Sequence, residues 1–67
     1  MRTLEKTFYG TDSDGNELYL ITAVGTSNDT KPTTGVVTGS KFIEWNTTDE
    51  KLYVYMYFEE LNDWKKV

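Results

Sequence analysis

The 67 residues include no cysteine and no histidine, so this one small domain cannot rely on disulfides or the usual zinc ligands. A chain of this length buries only about 60% of the surface its unfolded form exposes, so stability must come from an aromatic-rich core or from packing against other chains. The net charge is −4 and the seven Lys and Arg are scattered, which argues against nucleic acid and an anionic membrane surface as partners.

The first element predicted is a strand over Thr3–Tyr9, with Leu4 and Phe8 on one side and Thr3, Glu5, Thr7 and Tyr9 on the other. Residues 10–16 (GTDSDGN) are rich in turn formers. The stretch ELYLITAV, Glu17–Val24, alternates Leu18, Leu20, Thr22 and Val24 against Tyr19, Ile21 and Ala23. The two runs read as a hairpin turning at Asp14-Gly15.

The next segment, Gly25–Gly39, holds three of the five glycines, the only proline and six Ser or Thr. Pro32 rules out a central strand, and the length exceeds an ordinary connection. The expectation is an ordered excursion, pinned to the core at Val36-Val37.

A C-terminal three-stranded meander follows. Ser40–Asn46 sets Phe42 and Glu44 against Ile43 and Trp45, residues 47–51 turn, and Leu52–Phe58 returns. In that central run Leu52, Val54, Met56 and Phe58 oppose Tyr53, Tyr55 and Tyr57. Residues 59–63 turn again and Trp64–Val67 closes the meander. Phe58, Leu61 and Trp64 also sit at helical spacing, with Glu59-Glu60 early and Lys65-Lys66 late, so one helical turn is the rival there. The fold class expected is all-β, a small antiparallel sheet or partly open barrel of about five strands.

No catalytic or cofactor signature is present. Asp12-Ser-Asp-Gly-Asn-Glu17 invites calcium, but Ala23 stands where an EF-hand loop needs its last glutamate, and hairpin chemistry explains the composition. Asn28-Asp-Thr30 and Asn46-Thr-Thr48 match the glycosylation pattern without a secretion signal. Glu44, Asp49, Glu50, Glu59 and Glu60 could supply paired carboxylates, yet most lie in turns. The expectation is a non-enzyme with no metal or cofactor. The candidate partner-binding residues are Tyr53, Tyr55 and Tyr57, joined by Trp45 on the neighbouring strand, since such side chains bury area while keeping a polar tip. The plain alternative is that the tyrosine face lies under the Gly25–Gly39 loop.

The stretch PTTGVVTGSKFIEWN…KLYVYMYFEELNDW resembles a group of short proteins encoded by phages and prophages of Gram-positive bacteria. The matching positions are Pro32, Gly35, Gly39, Ser40, Phe42, Glu44, Tyr53, Tyr55 and Trp64, about half the chain. The family's tight Asp-Thr-Gly-Lys turn is replaced by the longer, glycine-free Asn46–Lys51, which leaves the hairpin register open. The resemblance implies a virion accessory protein, of capsid-decorating or fibre-attaching type, with protein partners (itself or another virion component). Its place would be the virion or the host cytoplasm, with no signal peptide. The rival functions are an acidic effector that inhibits a host protein and a small carbohydrate-binding module.

Overall fold

The computed structural model describes all 67 residues, Met1–Val67. Five strands form one sheet in the order of the chain: β1 (Arg2–Thr11), β2 (Glu17–Thr26), β3 (Lys41–Asn46), β4 (Lys51–Phe58) and β5 (Asp63–Lys66). The sheet is open rather than closed into a barrel, and no helix is present. Residues 59–62 form a turn in which Leu61 and Asn62 donate to the carbonyls of Phe58 and Glu59. Asn62 then takes the left-handed φ of 47° and Asp63 already belongs to β5, so the helical rival over these residues does not form.

One strand pair departs from the antiparallel expectation. β2 and β3 run parallel, Ala23 beside Phe42 and Gly25 beside Glu44, while the other neighbours are antiparallel. A parallel pair needs a long return crossover, and residues 27–40 are that crossover. They run back across one face of the sheet as a strap. The strap is tied down near its end, where Val36 bridges Tyr19 and Val37 N–H donates to the Tyr19 carbonyl.

At its start Thr26 N–H donates to Asp29 Oδ2 at 2.8 Å and Asp29 N–H returns to the Thr26 carbonyl. Gly25 permits this turn, because a Cβ there would lie 2.3 Å from Asp29 Oδ2 and 2.8 Å from Phe42 Cζ.

The simple alternation expected for the first strand is broken. Irregularities between Thr3 and Glu5 and between Phe8 and Gly10 mark two β-bulges, each of which inserts a residue and bends the strand. Leu4 therefore falls in a bulge, and Phe8 pairs with Tyr19, ring centroids 5.7 Å apart.

The core lies between sheet and strap. Ile21, Ala23, Val36, Phe42, Tyr57 and Trp64 form one buried cluster, with Tyr19 and Tyr55 packed against it. Phe42 and Ala23 are wholly enclosed. Ser40 is buried too, and its Oγ accepts from Ile21 N–H at 3.1 Å, which joins β2 to the lead of β3. No buried side-chain polar atom lacks a partner.

In the β3–β4 turn Glu50 has φ of 56°, the left-handed conformation that glycine occupies without strain. Glu50 is exposed. Glu50→Gly is expected to stabilise the domain by about 0.5–1 kcal/mol, less than the full left-handed penalty because glycine also loosens the unfolded chain. Thermal unfolding should show a rise of several degrees, and a fall would disprove strain at this position.

Candidate functional site

Register sorts the side chains onto two faces. Phe42 pairs with Tyr55, Glu44 with Tyr53, and Tyr57 with Trp64, so all three tyrosines share the strap face. Tyr57 is buried, and its hydroxyl donates to Asn62 Oδ1 at 2.7 Å. Trp64 lies beside it, and its indole N–H reaches the Pro32 carbonyl of the strap at 2.7 Å.

Lys31 comes down from the strap with Nζ 4.4 Å from the Tyr55 ring centroid and 4.8 Å from that of Phe42. Its ammonium meets Glu44 Oε1 at 2.7 Å, and the Glu44 side chain is 4% exposed. Further out, Lys66 Nζ sits 3.9 Å from the Tyr53 centroid, and the Tyr53 hydroxyl donates to Asp49. An ammonium on the ring and a carboxylate on the hydroxyl occupy Tyr53, and the strap occupies the other two. The tyrosine stripe is therefore covered by the chain's own residues.

Trp45 does not belong with it. It pairs with Leu52 and points to the opposite face, so the four candidate residues do not form one surface. Parity along β3 is the reason, since Glu44 and Trp45 are adjacent and must diverge.

That opposite face is uncovered and apolar. β2 contributes Leu20 and Val24, and β3 contributes Ile43 and Trp45. β4 contributes Leu52, Val54, Met56 and Phe58. Leu52 is 66% exposed, Trp45 43%, Val54 39% and Leu20 38%. A contiguous apolar sheet face of this kind is unusual on a lone domain. The sequence carried its signal in the even positions of β4, which are as apolar as the odd ones are aromatic.

The sheet edges offer less. β1 is interrupted by its two bulges, and β5 has four residues including Lys65 and Lys66; both devices blunt an edge against further pairing.

The acidic candidates are tied into the fold. Asp12 accepts from the backbone N–H of Asp14 and Asn16 and from Asn16 Nδ2, hydrogen bonds that hold its carboxyl below the usual range. No group of three or more His, Cys, Asp or Glu is arranged to hold a metal. An open cleft of about 600 Å³ between the strap and the β1–β2 turn is lined by Asp12, Glu17, Tyr57 and Glu59 among others.

Tyrosine ionisation gives a direct check on the strap face. Burial raises the Tyr57 phenol above its ordinary value of 10, helped by Glu59 and Asp63. Burial likewise raises Tyr55, helped by Glu44. A raised phenol means the folded state keeps its proton after the unfolded chain has lost it. That stability is fully present below about pH 10 and is lost as pH rises through the folded values. Urea midpoints should therefore fall above pH 10, less steeply in Tyr57→Phe. An unchanged slope in that variant would remove Tyr57 as a cause.

No protein-family model, curated protein or solved structure matches this chain, and no helix is long and apolar enough to cross a membrane.

Proposed function

We propose that this chain is a non-enzymatic binding protein that docks the open face of its sheet on another protein chain, as an accessory component of a phage particle. The observation that carries the docking is the uncovered patch around Trp45, Leu52 and Val54. Aromatic and aliphatic side chains fixed on a rigid sheet lose little conformational freedom on binding, which favours such a face as an anchor. The particle setting rests on the resemblance of residues 32–64 to short phage proteins.

The same register argues against the carbohydrate reading. A sugar would stack on phenol rings, and those of Tyr53 and Tyr55 already carry lysine ammoniums. The effector reading finds support only at the acidic cleft by Asp12, Glu17 and Glu59, and it expects salt-sensitive capture of a basic host protein.

Particles purified from the encoding host should carry the wild-type chain. A chain with Val54→Asp, shown to be folded by near-ultraviolet circular dichroism, should be absent from them. Equal incorporation of the two would overturn docking by this face, and absence of the wild-type chain from particles would overturn the accessory role.

A further inference from the structure

A stable domain normally shares its core between two packed layers. Here one sheet has a strap on one side and nothing on the other, and only nine of 67 residues are buried. Resting on the reading that the open face binds protein, we infer that its partner is a second copy of this chain. The two sheets stack face to face into a β-sandwich.

Area is the first ground. Strands spaced about 4.8 Å apart, with same-face residues about 6.8 Å apart along them, make the patch roughly 15 Å by 20 Å in projection. Its projecting side chains present on the order of 500 Å² of accessible surface, so two copies bury about 1,000 Å², the lower bound for a specific interface.

Register is the second. β3 and β4 set Ile43 beside Val54, Trp45 beside Leu52 and Lys41 beside Met56. Take a twofold axis running along the strands between β3 and β4. It lays β3 of one copy over β4 of the other. Ile43 then faces Val54 of the second copy, and Trp45 faces Leu52. Lys41, the one ammonium on the β2–β4 part of this face, meets the Met56 thioether rather than another lysine. The patch is complementary to itself, as an isologous contact requires. Stacked sheets turn about 30° relative to each other, which keeps these central pairs closest.

Charge is the third. The chain carries −4 overall, yet the strand acids on this face are only Glu5 and Asp63, beside Arg2, Lys41 and Lys65. Two such faces meet without the acid–acid repulsion that the rest of the surface would bring. A basic partner would find few carboxylates here.

Sedimentation velocity of the full chain tests the inference. At about 100 µM, well above the dissociation constant of an ordinary specific dimer, the mass should be twice the 7.8 kDa of one chain. Val54→Asp places a carboxylate in the contact twice and should weaken association by at least about 100-fold. Leu61→Asp makes a similar change at an exposed position in the β4–β5 turn, outside the β2–β4 strands that pair across the proposed contact, and should leave the dimer intact. Each variant is checked by near-ultraviolet circular dichroism for a native aromatic signal.

A wild-type monomer throughout, or a dimer that Val54→Asp leaves intact, would overturn the proposal. So would equal weakening by Leu61→Asp. The docking reading fails separately. A wild-type monomer that still loses its particle association with Val54→Asp removes only the second copy. A face whose substitution changes neither association removes both.

Discussion

Trp64→Ala should leave the domain largely unfolded at 25 °C without denaturant. Trp64 is 6% exposed and packs edge-on to Phe42, with ring centroids 6.2 Å apart, and against Tyr57 at 5.4 Å. Its indole N–H is also the hydrogen bond that ties β5 to the strap at Pro32. Truncating a buried tryptophan costs about 3–5 kcal/mol. A single core in a domain of this size rarely supplies more than about 3–5 kcal/mol, so that loss takes up the whole margin. β5 has only four residues, so its ladder cannot hold the edge once the ring is gone. Trp64→Phe keeps most of the ring contact and loses the N–H, so it should cost about 1–2 kcal/mol and leave a cooperative transition. Urea unfolding followed by circular dichroism, at one fixed protein concentration because a dimer would make midpoints concentration-dependent, separates the two. A Trp64→Ala chain within 1 kcal/mol of wild type, by the same ~1 kcal/mol scale as a single hydrogen bond, would contradict the role given to this side chain.

Lys31→Met should cost about 3–5 kcal/mol, since removing one partner of a buried ion pair strands the other charge. The stranded group is Glu44, whose carboxylate is enclosed between sheet and strap and meets Lys31 Nζ at 2.7 Å. The methionine retains the stem over Phe42 and Tyr55, so the loss reports on charge rather than on packing. Glu44→Gln in the same chain removes the stranded charge and should recover much of the loss, because a matched apolar or neutral pair is often as stable as the buried salt bridge it replaces. Losses that simply add in the double variant would show that the two side chains are not coupled. Lys31 belongs to the strap and Glu44 to β3, so the pair also tests whether the strap is held by chemistry specific to this face.

Much of the fold was legible in the sequence because its signals are local. Asp14-Gly15 sits in a hairpin turn where Gly15 has φ of 83°, a conformation its neighbours could not adopt as easily. The period of two in Glu17–Val24 and Leu52–Phe58 gave strands and correct face assignments. Val36-Val37 did pin the long excursion, being the only adjacent apolar pair within it. The bulges of β1 were not legible, since nothing in residues 2–11 tells which residue the partner strand will skip. The parallel pairing of β2 with β3 was legible only as an overlong connection.

The candidate site was half legible. Alternation revealed that β4 has two large faces, and it put the tyrosines together. It could not tell which face the strap would cross. That choice rests on Trp64 Nε1 meeting Pro32, on Lys31 meeting Glu44 and on Val36 entering the cluster with Ile21 and Phe42. The two polar contacts join residues 13 and 32 positions apart along the chain, beyond the reach of any local pattern. Trp45 was assigned to the tyrosine surface by its chemistry and lies on the other side by parity.

By itself the sequence determined five strands, the first hairpin turn, and which residues within each of β2, β3 and β4 share a side, because backbone geometry and turn residues act over a few positions. Only the tertiary structure decided that the strap covers the aromatic side and leaves Leu52, Val54 and Trp45 bare. Covering a face depends on which distant groups can satisfy one another, and that is a property of the assembled chain.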